Sequence, residues 1–124
     1  MRTQGEIEAA IREEISRFEQ DYIGRDPKDI QVHLLGDLLV VRLHGVLAVA
    51  EQHLAKSLPS ENGRDFLKQV RSHLIETTRS VMEAMVEKVT GVKVVTMHHD
   101  ISTITGEEVI LFTLARSLDF CEAE

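Results

Sequence analysis

The feature that most constrains the fold is the segment IQVHLLGDLLVVRLHG, residues 30–45, where two runs of apolar residues flank a Gly-Asp pair. Gly36 and Asp37 suit a two-residue hairpin turn, and this turn pairs Leu35 with Leu38 along the two strands. In that register one face of the hairpin is wholly apolar and the other is mixed. The apolar face carries Ile30, Val32, Leu34, Leu39, Val41 and Leu43. Because both strands present their apolar side chains on the same face, the segment predicts an antiparallel hairpin that packs on a core.

A second hairpin is predicted in VVTMHHDISTITGEEVILFTL, residues 94–114. A four-residue loop at 103–106 places His98 opposite Leu111 on the neighbouring strand. Simple alternation puts Val94, Thr96, His98 and Asp100 on the mixed face, and Val95, Met97, His99 and Ile101 on the apolar face. The two hairpins together supply four antiparallel strands.

Helices are predicted on either side of the first hairpin. Residues 3–23 begin with a Thr3/Glu6 capping box and repeat apolar residues at steps of three and four. Residues 46–57 suit a short helix, and residues 61–90 a long helix with a broad apolar stripe that ends at Gly91.

The element order α-β-β-α-α-β-β predicts an α+β fold, a two-layer sandwich with a four-stranded antiparallel sheet under helices. The whole chain, 1–124, is expected to form a single domain, with a core at about 4–115 and a polar tail at 116–124. The order of strands within the sheet is left open by the sequence.

Composition narrows the class of protein. The net charge is −7 and no run of Lys or Arg could follow a phosphate backbone, so nucleic-acid binding is disfavoured. A single cysteine, Cys121, gives no internal disulfide. The N-terminus has no signal-peptide pattern, and no apolar run approaches the length of a membrane span. We therefore expect a cytoplasmic protein without direct membrane insertion, which reaches the inner face of the membrane only through partners.

The mixed face of the predicted sheet indicates association. Exposing Val40, Val94, Val109 and Leu111 together would leave an apolar patch that is unusual for a monomer. A homodimer, sheet on sheet or edge to edge, is the simplest way to cover it, since two-fold dimers are the commonest oligomers.

The same face carries the candidate ligand or partner surface, which consists of His33, Arg42, His44, His98 and Asp100. Histidines with a carboxylate could hold a metal ion, whose identity the sequence does not specify. Arg42 with a histidine could hold a small oxyanion. A structural role is favoured over both, because no metal-ligand spacing is present and strand-end polar residues commonly bind turn backbone.

Catalytic signatures are absent from the sequence, so no enzyme activity, catalytic residue or cofactor is predicted. The paired carboxylates Glu107 and Glu108 are interpreted as solvated surface charge.

Several segments together resemble the small bacterial MpsC-like family, which is associated with a sodium-translocating, membrane-potential-generating system. The resemblance covers about residues 4–115, and its most specific part is TGVKVVTMHHDISTITGEEVILFTL. The signature positions that it transfers are Asp100, Ser102, Thr103, Thr105, Gly106 and Glu107.

The resemblance implies a soluble companion of membrane proteins that handle cations and inorganic carbon. Our first hypothesis is therefore an accessory or regulatory binding protein of such a transport system. A small-ligand sensor for a metal or oxyanion is the alternative, and an enzyme of unknown reaction is a further one.

Overall fold

A computed structural model describes residues 3–23, 27, 29–45, 60–102 and 104–118, with side chains except at 23 and 60–64. Its helices and strands occur in the order α-β-β-α-α-β-β, so the predicted α+β fold with a four-stranded antiparallel sheet is confirmed. The elements are α1 (Gln4–Phe18), β1 (Asp29–Leu35), β2 (Leu38–His44), α2 (Ser60–Thr77), α3 (Arg79–Thr90), β3 (Val94–Ile101) and β4 (Glu108–Leu114). The short helix predicted at 46–57 lies outside the described residues.

Helix α1 begins at the predicted capping box. The Thr3 hydroxyl accepts from the amide of Glu6, and the Glu6 carboxylate accepts from the amide of Thr3. Both bonds satisfy amides that the first turn leaves unpaired. Four apolar residues of α1 are buried against the sheet: Ile7, Ile11, Ile15 and Phe18. The helix continues as one π-helical stretch, Glu19–Ile23.

The sheet has the strand order β1-β2-β4-β3, and every neighbouring pair is antiparallel. The β1-β2 hairpin has the predicted register, with Leu35 opposite Leu38 and Val32 opposite Val41. In the second hairpin His98 lies opposite Leu111, also as predicted. The two hairpins meet where β2 pairs with β4, so these are the two central strands of the sheet.

One face of the sheet and the helices enclose the core. Its largest fully buried side chains include Phe112, Ile11, Ile15, Leu39, Leu43, Ile75, Met82 and Ile110. The described helices cover this face, and the alternate side chains of each strand point to the opposite side.

The region 60–90 differs from the prediction of one helix over 61–90, because helices α2 and α3 are separated at a single residue. The chain departs from helical geometry at Thr78, where ψ is 11°, and α3 begins at the next residue. The Thr78 hydroxyl donates to the carbonyl of Leu74 at 2.8 Å, a back-bond to the preceding turn that bends helices. The apolar periodicity runs through this break, so it predicted a continuous helix.

Strand β3 differs at its first residues. A β-bulge shifts the register between Val94 and Thr96, so Val94 lies opposite Leu114 and packs against the core. Val95 is then 61% exposed. The prediction that Val94 lies on the mixed face and Val95 on the apolar face is therefore wrong, because a bulge adds one residue and reverses the alternation on one side of it.

Candidate functional site

The face of the sheet opposite the core has no buried side chain among its described residues. We call it the open face. It consists of Asp29, Gln31, His33, Leu35, Leu38, Val40, Arg42, His44, Thr96, His98, Asp100, Glu107, Val109, Leu111 and Thr113. These residues form rows across the four strands, and the rows decide which side chains can meet.

The centre of the open face is apolar. Val40 of β2 lies opposite Leu111 of β4, and Leu38 and Val109 flank them on the same two strands. All four side chains are half-buried. Cross-strand neighbours of this kind shield each other in part, and the described helices lie on the other side of the sheet. The apolar centre is therefore an accessible surface of the described fold.

The row through Val40 and Leu111 ends in a histidine at each edge of the sheet. His33 on β1 lies opposite Val40, and His98 on β3 lies opposite Leu111. Three strand spacings separate the two imidazoles, a distance of about 14 Å. The structure therefore does not bring His33 and His98 together, and one metal ion could not bind both.

A polar network occupies one end of the open face. Arg42 donates to a carboxylate oxygen of Glu107 from Nε at 3.1 Å and from Nη2 at 2.5 Å. His44 Nε2 lies 3.5 Å from the same oxygen. Arg42 also donates to Gln31 at 3.4 Å, and Gln31 donates to Asp29 at 3.2 Å. The sequence candidates Arg42 and His44 are thus brought together, but by a carboxylate that an oxyanion would have to displace.

Asp100 is placed at the β3 edge of the open face, next to helix α2. Its carboxylate lies 3.3 Å from Nζ of Lys68, and its side chain is 79% exposed. The backbone amide of Ile101 and, after it, Lys68 hold the pKa of Asp100 below its ordinary value. Asp100 is therefore a solvated anion with a helical lysine as its partner, separate from the Arg42 network.

The signature segment forms the β3-β4 turn. The Ser102 amide donates to the Glu107 carbonyl, and the Gly106 amide donates to the Ser102 carbonyl, each at 2.8 Å. The Ser102 hydroxyl accepts from the amide of Thr105, and the Thr105 hydroxyl accepts from the amide of Glu107. Gly106 has φ of 76°, which glycine adopts without strain. The signature positions Ser102, Thr105 and Gly106 thus build the turn that presents Glu107. Thr103 lies outside the described residues.

His99 projects to the other side of β3. Its Nε2 donates to Glu76 of α2 at 2.7 Å, and the imidazole is only 10% exposed. This hydrogen bond, with Arg79 adding to it, lowers the pKa of Glu76. His99 accordingly joins the sheet to α2 and takes no part in the open face.

A buried ionic cluster was missed by the sequence reasoning. Arg71 of α2 donates to Glu108 at 2.6 and 2.9 Å and to Glu19 at 2.9 Å, and all three side chains are at most 5% exposed. Burial alone would lower the pKa of Arg71, but hydrogen bonds and charge from Glu108 and Glu19 raise it above the ordinary value.

The interpretation of Glu108 as solvated surface charge is therefore wrong. The alternation of side chains along β4 could have revealed the buried position of Glu108. Glu108, Ile110 and Phe112 are alternate residues and therefore point to the same, apolar side of the sheet. Its partners could not be read from the sequence, since Arg71 and Glu19 belong to helices that are distant along the chain.

Comparison with known proteins identifies the family. The family model described as "Na+-translocating membrane potential-generating system (MpsC)" matches residues 3–116. The chain belongs to the MpsC family. A curated relative, the uncharacterized protein YbcI of Bacillus subtilis (strain 168), is 35% identical over 118 residues, which cover 95% of this chain and 93% of the relative. No solved structure matches the chain.

Two further observations describe this MpsC-family chain. Within the described ranges, no helix has both the length and the apolar content that crossing a membrane requires. The described residues also contain no group of three or more His, Cys, Asp or Glu side chains that could hold a metal ion.

Proposed function

We propose that the protein is an accessory binding component of the Na+-translocating, membrane potential-generating system named in the description of its family. In this proposal it works on the cytoplasmic side of the membrane. The open face is the docking surface, and its partner is a cytoplasmic segment of an integral membrane protein of that system. The observation that carries the proposal is an apolar centre, Val40 and Leu111, which the described helices leave uncovered.

The distribution of side chains on the open face suits a protein partner. Protein interfaces combine an apolar centre with a polar rim. Here the apolar centre lies on β2 and β4, and the rim consists of His33, His98, Asp100 and the Arg42–Glu107 network. The rim would set the orientation of the partner, and the centre would supply most of the affinity.

Charge also supports a membrane-protein partner. The chain carries a net charge of −7. Cytoplasmic loops of membrane proteins carry an excess of Lys and Arg. An acidic binding protein and a basic loop attract each other, which speeds their encounter.

Fractionation of a native host tests the proposal. An epitope-tagged wild-type chain is expected to co-purify with membranes and with an integral membrane component of the system. Leu111→Arg places a charge in the apolar centre and should abolish this recovery. Val81→Arg introduces the same charge at a 38% exposed residue of helix α3, in the helical layer on the other side of the sheet, so it should co-purify like the wild type.

Three outcomes contradict the proposal: a wild-type chain that recovers no membrane component, equal recovery by both variants, and equal loss by both variants. Circular dichroism and thermal unfolding of the purified variants verify that each one folds.

A further inference from the structure

Strand β1 is an edge of the sheet, and helix α1 caps only part of that edge. The Leu34 amide donates to the Glu8 carboxylate at 2.8 Å, and the Leu34 carbonyl accepts from the Gln4 side chain at 2.9 Å. Both backbone groups of Leu34 therefore point away from β2. Side chains that satisfy an edge in this way prevent another strand from pairing there.

The orientation of Leu34 fixes that of its neighbours. In an antiparallel pair, alternate residues direct both backbone groups to the partner strand and the intervening residues direct both outward. Ile30 and Val32 have the same parity as Leu34, so their amides and carbonyls also face outward. No described residue binds these groups. Two residues of the edge thus offer two donors and two acceptors to a further strand.

Space for a strand lies next to these groups. A groove of about 420 Å³ runs beside residues 29–33, with Gly5, Glu8 and Arg12 of α1 on its other side. A second groove of about 670 Å³ shares Arg12, Asp29 and Ile30 with the first, and Ala9 and Ser16 lie along it.

We infer that β1 of a second copy of this chain occupies the edge, antiparallel and related by a two-fold axis at Gln31. Ile30 then pairs with Val32 of the second copy, and Val32 pairs with its Ile30, so all four uncapped groups on each chain form hydrogen bonds. The two sheets become one continuous sheet of eight strands. This pairing does not depend on the proposed docking at the open face.

Charge complementarity supports this register. Centring the pairing on Gln31 places Asp29 directly opposite His33 of the second copy, and His33 opposite its Asp29. Both side chains belong to the open face, and both are exposed in the single chain. Directly opposed side chains at such a position are close enough to form an ion pair once the imidazole is protonated, and a hydrogen bond when it is neutral.

The cap at Leu34 excludes the neighbouring register. Centring the pairing on Val32 would require Ile30 to bond with Leu34 of the second copy, whose backbone groups are already held by Gln4 and Glu8. Opposite side chains would then be Gln31 and His33, and the Asp–His pairs would be lost.

Light scattering and sedimentation of the full chain test the inference. At micromolar concentration the wild type is expected to have twice the chain mass of 14.0 kDa. His33→Asp places two aspartates opposite each other at both ends of the pairing, and it should raise the dissociation constant about ten-fold or more. The exchange Asp29→His with His33→Asp restores opposite partners and should restore the dimer.

His98→Asp is the matched control, because it makes the same change at an exposed histidine of the open face on the far edge of the sheet. It should leave the dimer unchanged. Amide hydrogen exchange gives a second readout, since Ile30 and Val32 should be protected in the dimer and should exchange faster in His33→Asp.

A monomeric wild type at these concentrations overturns the inference. A dimer that tolerates His33→Asp, or one that His98→Asp dissociates, places the interface elsewhere and overturns it too. Failure of the exchanged pair to restore a dimer contradicts the Gln31-centred register.

Discussion

Glu107 and Glu108 are consecutive in the chain, yet their carboxylates bind different arginines on opposite faces of the sheet. Glu107 lies 2.5 Å from Nη2 of Arg42 on the open face, and its side chain is 27% exposed. Glu108 lies 2.6 Å from Nη2 of Arg71 in the core, and its side chain is 1% exposed. One Arg–Glu pair is therefore partly exposed to solvent and the other is buried, so the two pairs should contribute differently to the free energy of unfolding.

The stability of the fold should depend on Glu108 far more than on Glu107. Glu108→Gln removes charge-assisted hydrogen bonds from a buried site, so we expect a loss of about 2 kcal/mol in the free energy of unfolding. Glu107→Gln weakens a partly solvated pair and should cost at most about 1 kcal/mol. Urea unfolding of both variants measures the difference. Equal losses would contradict the burial of the Arg71 cluster.

The contact between His99 and Glu76 should appear as a pH dependence of stability. The hydrogen bond from His99 lowers the pKa of Glu76 in the folded state. Glu76 therefore contributes stability above the ordinary glutamate pKa, and this contribution is lost as the pH falls through the lowered folded value. His99→Leu should return the Glu76 pKa toward its ordinary value and reduce this acid-side loss.

Side-chain NMR titration of Glu76 measures that change. The Asp100 titration should change less in the same variant, because the Ile101 amide and Lys68 are larger causes of its lowered pKa than the charge of His99. A Glu76 titration that His99→Leu leaves unchanged would show that the hydrogen bond is not its cause.

Gly91 should be needed for its left-handed backbone conformation and not for lack of space around its side-chain position. It ends α3 with φ of 72°, and a methyl group at this position would meet no atom within 4 Å. Gly91→Ala should therefore cost about 1 kcal/mol from left-handed strain. Gly91→Asn should cost less, because asparagine tolerates this conformation better. Thermal unfolding of the two variants compares them, and an alanine variant as stable as the wild type would argue against this helix end.

The hairpin registers could be predicted from the sequence because they are local. Two-residue turn chemistry and period-two alternation define which residues of 30–45 face each other, and the structure has those pairs. The capping box at Thr3 is equally local. Alternation failed at Val94, because a bulge has no distinctive residue in this segment and changes the phase without changing the composition.

Because of the bulge, replacing valine by threonine should affect stability differently at the neighbouring positions 94 and 95. Val94 packs against the core, whereas Val95 is 61% exposed. Val94→Thr should lower the free energy of unfolding by about 1 kcal/mol, because it places a hydroxyl against apolar side chains. Val95→Thr should change it by less than about 0.5 kcal/mol. Urea unfolding distinguishes them, and the reverse order would support unbroken alternation.

The candidate site was predicted only in part. Phase placed His33, Arg42, His44, His98 and Asp100 on one face, and the structure has them there. Which of them meet depends on the strand order, and the pairing of β2 with β4 separates His33 from His98 while it brings Arg42 to Glu107. Such long-range pairing has no local sequence signal, and neither has the contact of Arg71 with Glu19 and Glu108.

Docking of the open face on a membrane component of the potential-generating system is tested most directly by site-specific photo-crosslinking in the native host, with a benzophenone amino acid at position 111 and, in a separate strain, at position 81 of helix α3. We predict a crosslink from position 111 to an integral membrane protein of the system, identified by mass spectrometry, and none from position 81. Absence of that crosslink at position 111, or its equal formation at position 81, would contradict this docking.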